Sequence, residues 1–375
     1  MFDEMKALEK NETWELVDLP PGKQPVGCKW VFTIKQTPRE RWRGIKPVLW
    51  RRATHKHMES TMKRPLHRWK MNSVRTLMSC AVNLDWDIYQ MDVKNAFLHG
   101  DLQEEVYMHI PPGFESSQTG GKVLRLHRSL YGLKQSPRAW FDRFRQSMLK
   151  RGYVQSNADH TLFYKHSNSK VAILIVYVDD TVITGDDSTE VANLKHHLAQ
   201  EFEVKDLGKL RYFLGIEVSR GSKGIFLSQR KYILDLLKET GMLGCRPAAT
   251  PIEQNHRLSS DAGTPVDRER YQRLVGRLIY LSHTRPDIAF AVSVVSQYMH
   301  DPKSAHMEAV KRILRYLKGC LGRGLLYTRQ GDLQVECYTD ADWAGSLDDR
   351  RSTSGYCAFV GGNLVSWRSK KQGVV

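Results

Sequence analysis

The sequence predicts an α+β fold in which an antiparallel sheet is backed by helices. Residues 171–178 form an apolar, β-branched run that ends at Asp179 and Asp180 and leads into a second short strand, as in a β-hairpin. Apolar and polar residues alternate over residues 88–92, which is typical of a strand. Residues 72–84 place apolar side chains on one helical face. Helices alternating with strands and a hairpin in this order favour a sheet covered by helices.

Length, charge and cysteine content limit the class of protein. The chain has 375 residues, enough for more than one domain, and a formal net charge of +16, which predicts a polyanionic partner such as nucleic acid. Its six cysteines are scattered without a C-x-x-C pair, so neither a disulfide framework nor a zinc knuckle is expected. The sequence shows no signal-peptide core and no apolar run of bilayer length, so we expect an intracellular chain without a membrane partner.

Three carboxylates lie where predicted strands end. Asp92 closes one strand, and Asp179 and Asp180 follow the apolar run of the hairpin. Adjacent Asp residues are common at solvated hairpin tips, and this interpretation stays open. However, neighbouring carboxylates at the end of a buried strand repel each other, and a divalent cation relieves that repulsion. Three carboxylates from two neighbouring strands would hold two metal ions, an arrangement that suits phosphoryl transfer.

Three segments carry a resemblance to a known family. They are DVKNAFLHG at residues 92–100, SLYGLKQSPRAW at residues 129–140 and YVDD at residues 177–180. In this order they resemble the reverse transcriptase of copia-type retrotransposons, the RNA-directed DNA polymerase of a Pol polyprotein. The resemblance implies a right-hand polymerase with palm, fingers, thumb and connection. Residues 1–250 would form the fingers and palm, and residues 251–330 the helical thumb and connection.

The resemblance also implies roles for single residues. Asp92, Asp179 and Asp180 would be the catalytic metal ligands for two Mg²⁺ ions, with Mn²⁺ as the alternative ion. Asp92 and Asp179 would bind the ions most directly. Phe97 would be the steric gate that lies against the sugar and rejects a ribose hydroxyl. From the residues alone, Phe97 also fits an ordinary core position, and its spacing from Asp92 carries most of the argument.

A second group of residues matches the part of the family that holds template and nucleotide. It consists of Tyr131, Gly132, Lys134 and Gln135. Gly132 would allow a close approach of the backbone, and Lys134 would contact phosphate or template, although exposed lysines are common. The implied partners are an RNA template, a DNA primer and deoxynucleoside triphosphates. The implied location is a cytoplasmic virus-like particle or the nucleus.

Residues 39–70 do not fit the family pattern. They contain eleven Lys or Arg residues against Glu40 and Glu59, and they show neither helical nor strand periodicity. One interpretation is a basic, Trp-containing arm that binds nucleic acid. We favour an out-of-frame translation, because the flanking segments match the family at the expected separation and nothing between them resembles its RYKARLVAKG-like strand pair. In either case the segment offers little patterned apolar surface, so weak order is expected.

Residues 331–375 resemble the beginning of a ribonuclease H domain. They predict three short strands, and Asp340 occupies the position of the first catalytic aspartate. In the family the further carboxylates come from helices later in the chain. The sequence therefore predicts an incomplete ribonuclease H-like fold without that activity.

Two other classes of function stay open. The first is an inactive retrotransposon remnant that only binds nucleic acid, through its positive charge. Basic residues of the predicted thumb helices would contribute to such binding: Arg285, Lys303, Lys311, Arg312, Arg315 and Lys318. The second is another palm-type enzyme, such as a nucleotidyl cyclase or a repair polymerase, which would not be expected to carry the helical region and the ribonuclease H-like segment.

Overall fold

The computed structural model describes residues 2–36, 42–51, 71–116, 119–254, 256, 258–346 and 348–373. The α-helices are α1 Phe2–Lys10, α2 Met71–Asn83, α3 Ser136–Lys150, α4 Ser188–Glu201, α5 Arg230–Glu239, α6 Arg268–Leu281, α7 Ala289–Ser296 and α8 Ser304–Gly319. The strands are β1 Trp14–Asp18, β2 Cys28–Gln36, β3 Trp42–Arg51, β4 Ile88–Val93, β5 Asp101–Met108, β6 Lys122–Arg128, β7 Val154–Gln155, β8 Leu162–Ser167, β9 Lys170–Tyr177, β10 Asp180–Gly185, β11 Val204–Lys209, β12 Tyr212–Phe213, β13 Ile216–Gly221, β14 Gly224–Ser228, β15 Leu325–Tyr327, β16 Val335–Ala341, β17 Thr353–Val360 and β18 Asn363–Lys371.

The chain forms two compact units. Unit 1 comprises Met1–Lys70 and Tyr89–Gly208, and unit 2 comprises Met71–Ile88 and Lys209–Val375. Both units mix helices and strands, as the predicted α+β class requires. Within the described residues, no helix is long and apolar enough to cross a membrane.

The main sheet of unit 1 has six strands in the order β11-β4-β10-β9-β8-β7. Strands β7 to β10 pair antiparallel in succession. Helices α3 and α4 supply an apolar layer against this sheet, formed by Trp140, Phe144, Met148, Val191, Leu194 and Leu198. Asp187 directly precedes α4 and caps it, because its side chain accepts the backbone N–H of Glu190 at 3.0 Å.

The hairpin of β9 and β10 turns one residue earlier than predicted. Tyr177 pairs with Asp180, so Val178 and Asp179 form the two-residue turn and Asp180 is the first residue of β10. Val178 has φ of 49°, a conformation that β-branched residues rarely adopt. The two-residue connection requires positive φ, and it imposes this conformation on Val178 although the sequence suggests a strand residue.

A smaller sheet and a hairpin complete unit 1. The sheet has the order β1-β6-β5, and β2 pairs antiparallel with β3. Leu49 of β3 is buried in a cluster with Leu8, Leu124 and Leu126. Residues 42–51 of the segment 39–70 form β3, which pairs with β2, and the rest of that segment lies outside the described residues. The weak order expected for this segment stays a prediction.

The core of unit 2 is built by α5 to α8, as the predicted helical region requires. Arg285 is almost wholly buried in it, with 1% of the residue exposed, and pairs with Asp287 at 2.7 Å. Asp287 also accepts the hydroxyl of Tyr316 at 2.7 Å. Arg285 is thus part of a buried network that joins the helices, and its expected place on a basic surface is wrong.

Two sheets accompany these helices. One has the order β12-β13-β14-β15, and the other the order β16-β17-β18. Leu214 and Gly215 both have positive φ and separate β12 from β13. This turn folds the segment into a hairpin of unit 2, in which β12 pairs antiparallel with β13.

A buried arginine ties α2 to the C-terminal sheet of unit 2. Arg75 donates to the carbonyl oxygens of Val365 and His283, both at 2.7 Å, and to the side chain of Asn72. Its guanidinium lies 3.9 Å from the ring centroid of Trp367. Burial and the nearby guanidinium lower the pKa of His283 to about 4, which keeps that imidazole neutral at pH 7.

We expect Arg75→Ala to lower the free energy of unfolding of unit 2 by about 3 kcal/mol, because a buried charged donor is removed and the carbonyl oxygens of Val365 and His283 lose their hydrogen bonds. Urea unfolding followed by circular dichroism measures this loss. Arg270→Ala, at an exposed position of α6, is the matched control and should change stability by no more than about 0.5 kcal/mol. Equal losses in the two variants would contradict a structural role for Arg75.

Candidate active site

The three candidate aspartates lie on two neighbouring strands of the main sheet of unit 1 and in the turn between β9 and β10. Asp92 is the last but one residue of β4, which lies beside β10; Asp179 lies in the turn before β10, and Asp180 is the first residue of β10. The backbone N–H of Val93 donates to the carbonyl oxygen of Asp179 at 2.7 Å. This bond fixes the end of β4 against the hairpin turn, so the structure brings the three predicted residues together at one end of the sheet.

Asp180 shares a face of the sheet with Asp92. Its carboxylate accepts a hydrogen bond from the amide of Gln90 at 2.9 Å. Gln90 precedes Asp92 by two residues on β4, so both side chains point to the same side. Burial raises the pKa of Asp180, the Gln90 hydrogen bond opposes that effect, and the negative charge of Asp92 adds to it. The site therefore concentrates negative charge before any cation is bound.

A buried tryptophan donates a hydrogen bond to the turn of the β9–β10 hairpin. The indole N–H of Trp140 on α3 donates to the carbonyl oxygen of Val178 at 2.9 Å. Trp140 packs in turn against Phe144 and Phe202, with ring centroids 5.5 and 5.1 Å away. The strained conformation of Val178 is thus held by a hydrogen bond and by the aromatic core.

Phe97 lies in a short 3-10 helix, Ala96–His99, directly after β4. Its ring meets that of Tyr131 edge to face, with centroids 4.7 Å apart. The hydroxyl of Ser129 donates to the carbonyl oxygen of Phe97. Gly100 ends this segment against α3, where a Cβ atom would lie 2.6 Å from the backbone nitrogen of Trp140. Phe97 is therefore half-buried; Tyr131 contacts its ring, and Ser129 binds its backbone carbonyl.

The segment around Gly132 is anchored by leucines and presents polar residues. Leu130 and Leu133 are buried, whereas Lys134 is exposed and Gln135 partly exposed. Gly132 has φ of 91°, which a residue with a Cβ atom rarely adopts. The alternation of anchored leucines and polar positions gives Lys134 access to solvent, as a contact to template or nucleotide requires.

The donor types of this site suit magnesium. Carboxylate oxygens are the ligands that Mg²⁺ prefers, and Asp92, Asp179 and Asp180 supply six of them from β4, from β10 and from the turn before β10. As the side chains stand, however, no three Asp, Glu, His or Cys residues of the described ranges meet closely enough to hold one ion. The residues thus fit the expected ions by chemistry and by position on the sheet, while Asp180 is engaged with Gln90.

The raised pKa of Asp180 predicts that Asp180→Asn stabilises the protein when metal is absent. A carboxyl group whose pKa is higher in the folded than in the unfolded state costs stability as the pH rises above about 4, the unfolded value. An asparagine removes this cost and can still accept from Gln90. We expect a higher melting temperature for Asp180→Asn at pH 7 in EDTA, and no difference near pH 3. A lower melting temperature at pH 7 would contradict the electrostatic description of the site.

Sequence reasoning missed the residues that support the aspartates. Gln90 could have been found, since it precedes Asp92 by two positions on the same strand face. Trp140 belongs to the segment that carries the resemblance, but its hydrogen bond to Val178 depends on how α3 packs on the sheet. No local pattern in the sequence shows that contact.

Asp340, the predicted ribonuclease H residue, belongs to unit 2, whereas the three candidate aspartates belong to unit 1. It is exposed on β16, the edge strand of the C-terminal sheet, and its carboxylate accepts the backbone N–H of Ala341 at 2.9 Å. The three predicted strands of this region are confirmed as β16, β17 and β18. Its ribonuclease H-like character stays a prediction.

Comparison with known families identifies the class of protein. Residues 11–254 match the family described as reverse transcriptase (RNA-dependent DNA polymerase). This is well over half of the chain, so the chain belongs to that family, and the resemblance inferred from the three segments is confirmed. Enzymes of this family in general use divalent metal ions such as Mg²⁺.

Two of the similar curated proteins are retrovirus-related Pol polyproteins from transposons. The chain is 42% identical over 382 residues to the retrovirus-related Pol polyprotein from transposon RE1 of Arabidopsis thaliana, covering 100% of this chain and 26% of that protein. It is 40% identical over 389 residues to the corresponding polyprotein from transposon TNT 1-94 of Nicotiana tabacum, covering 99% and 29%. The chain therefore spans about a quarter of the length of these relatives.

A shorter relative and a solved structure complete the comparison. A putative transposon Ty5-1 protein of Saccharomyces cerevisiae is 32% identical over 289 residues, which is 76% of this chain and 94% of that protein. Among solved structures, a foamy viral protease-reverse transcriptase in complex with double-stranded DNA covers 98% of this chain and 55% of its own, with 12% identity and a TM-score of 0.48.

Proposed function

We propose that this chain is an RNA-directed DNA polymerase of the copia type, in which a primer hydroxyl attacks the α-phosphorus of a deoxynucleoside triphosphate. The observation that carries the proposal is the placement of Asp92 beside the hairpin of Asp179 and Asp180, fixed by the bond from Val93 to Asp179. Two Mg²⁺ ions held by these carboxylates would activate the primer hydroxyl and neutralise charge on the phosphates. Family membership supports the assignment.

The neighbouring residues would position the substrates. Phe97, held edge to face against Tyr131, presents an aromatic wall where the sugar of the incoming nucleotide would lie. A ribose hydroxyl would clash with this wall, whereas a deoxyribose would not. Lys134, exposed beside Gly132, would contact the phosphates of template or nucleotide, and Gln135 at the start of α3 would contribute a polar group. The other partners would be an RNA template and a DNA primer.

We propose that residues 39–70 limit the activity of this copy. The cations that the family uses here to hold the triphosphate have no match in the sequence. Strand β3 shows that residues 42–51 can still pair with β2, so the backbone of a family-like strand pair is retained there. Weaker binding of the triphosphate would raise the concentration of nucleotide needed for synthesis. It would have less effect on the binding of metal ions by the aspartates.

Primer extension by the purified full chain tests the function. A labelled DNA primer annealed to an RNA template, with deoxynucleoside triphosphates and Mg²⁺, should be extended by the chain as given. Asp179→Asn should abolish the product, and Asp142→Asn, which changes an exposed aspartate of α3, should leave it unchanged. Extension that survives Asp179→Asn would contradict the proposed site.

A version with a family-like sequence at residues 39–70 tests the proposed impairment. We expect this version to extend the primer at least about tenfold faster at low nucleotide concentration, because the added cations bind the triphosphate. The same version carrying Asp179→Asn is its control and should be inactive. If neither the chain as given nor the repaired version extends a primer, the polymerase proposal is overturned.

Nucleic-acid binding without catalysis is the second candidate function, favoured by the net charge of +16. It predicts binding to RNA or DNA that weakens steeply with salt and is the same in the parent chain and Asp179→Asn. Binding of this kind together with no extension by the repaired version would support it.

A further inference from the structure

A cavity of about 340 Å³ lies within unit 2, remote in sequence from the aspartates of unit 1. One wall is formed by α7, and the opposite side by residues 342–346, β17 and the end of β18. Its volume is in the range of sites that bind small molecules. The cavity has not been used in the proposed function, and its lining combines aromatic, amide and charged side chains.

The wall from α7 presents two apolar side chains and one amide side chain to the cavity. Phe290, Val294 and Gln297 follow each other at helical spacings of four and three residues, so they lie on one face and line the cavity. The other side of the helix is buried in the core through Val292 and Val295. Phe290 is nevertheless 46% exposed, and a large aromatic side chain exposed to a cavity is available for stacking.

The ring of His256 lies beside that of Phe290, with centroids 6.4 Å apart. Its Nδ1 atom is buried and has no hydrogen-bond partner among the described residues. Burial lowers the pKa of His256, so the imidazole is neutral at pH 7. A buried ring nitrogen without a partner costs stability, and a ligand with a complementary polar edge removes that cost.

Charged groups near the cavity make a bound phosphate unfavourable. Lys371 is paired with Asp349 at 2.7 Å and donates to the hydroxyl of Ser346 at 2.8 Å, so its charge is already compensated. Asp342 lines the cavity, and Asp348 lies 3.5 Å from the hydroxyl of Tyr298, a lining residue. These carboxylates favour a ligand whose bound part is uncharged.

We propose that this cavity binds a single nucleobase, stacked on Phe290 and hydrogen-bonded to His256. The amides of Gln254 and Gln297 line the same space and would contact the edge of the base. Any phosphate group of the ligand would lie outside the cavity, away from the carboxylates of Asp342 and Asp348. The base would come either from a free nucleoside or from an unstacked nucleotide of a bound strand. The proposal does not rest on the polymerase function, since neither binding residue belongs to unit 1.

Titration of the full chain with phosphate-free nucleosides tests this site. Adenosine, guanosine, cytidine and thymidine are each added to the parent chain, and binding is measured by calorimetry. At least one of them should bind saturably, and Phe290→Ala should weaken it at least about tenfold, as expected for loss of base stacking. His256→Phe keeps an aromatic ring without the nitrogen and should weaken binding by a smaller factor.

Tyr338→Ala is the matched control, because Tyr338 is 59% exposed in the same unit and does not line the cavity. It should bind nucleosides like the parent chain, and circular dichroism should show all variants folded. A single strand containing 2-aminopurine distinguishes the sources of the base. A fluorescence change that Phe290→Ala removes identifies a base in a strand, whereas nucleoside binding without that change identifies a free nucleoside.

Three results would overturn the proposal. They are no saturable nucleoside binding at millimolar concentrations, equal binding by Phe290→Ala and Tyr338→Ala, and binding of phenylalanine amide as tight as that of the nucleosides. The last result would identify a site for an aromatic protein side chain.

Discussion

Asp92→Asn is expected to lower the rate of nucleotide incorporation at least about 1,000-fold, whereas Asp180→Asn should lower it about 10- to 100-fold. The difference follows from the arrangement of the carboxylates. Asp92 and Asp179 would bind the ions most directly, while Asp180 is held by Gln90 and would act on the ions through its charge. Single-turnover incorporation on a primed RNA template, at saturating Mg²⁺, measures both rates with the version repaired at residues 39–70.

The Asp180→Asn variant separates catalysis from stability. It should incorporate nucleotides more slowly than the parent and at the same time be more stable at pH 7 in EDTA. The negative charge of Asp180 would help to hold the ions, but without them it destabilises the folded protein. Asp142→Asn, in an exposed position, should change neither quantity. Equal rates for Asp92→Asn and the parent chain would contradict the assignment of Asp92.

Phe97→Val is expected to raise the use of ribonucleoside triphosphates, relative to deoxynucleoside triphosphates, about 100-fold, or about 2.7 kcal/mol in discrimination. The aromatic ring, supported by Tyr131, leaves no room for a ribose hydroxyl, and the smaller side chain removes this clash. The ratio of kcat/KM for the two nucleotides in single-nucleotide incorporation measures the effect.

The matched control for the gate is Phe141→Val. Phe141 is a partly buried aromatic residue packed against the same core as Phe97, but it lies on α3. Its replacement should cost stability without changing the choice of sugar. If Phe141→Val and Phe97→Val change the discrimination between the two nucleotides equally, or if neither changes it, Phe97 is a core residue. The assignment of Phe97 as a steric gate is then wrong.

The elements that depend on local pattern were predictable. The apolar face of residues 72–84 matches α2, whose Val74, Leu77 and Ala81 are all buried. The apolar run of residues 171–178 matches β9, and the hairpin of β9 and β10 follows it. These patterns are formed by residues close together in the sequence. They therefore predict the same helix or strand in any fold that buries its apolar face.

The features that depend on tertiary packing were not predictable. The turn falls on Val178 because β4, β10 and Trp140 hold its backbone, and nothing local favours a β-branched residue there. Arg285 looks like a surface cation in the sequence, but its partner Asp287 and the carbonyl of Cys320 allow it to be buried. Both cases involve a hydrogen bond between residues distant in the sequence, from Trp140 to Val178 and from Arg285 to Cys320.

Cleavage of the backbone by bound Fe²⁺ would test the central assignment, that Asp92, Asp179 and Asp180 hold the ions. Fe²⁺ replaces Mg²⁺ in the full chain, and ascorbate with peroxide generates radicals that cut the backbone close to the ion. We predict cuts near residues 92 and 178–180 that excess Mg²⁺ suppresses and that Asp179→Asn removes, whereas Asp142→Asn retains them. Cuts confined to other parts of the chain, or cuts unchanged in Asp179→Asn, would contradict the assignment of the metal site.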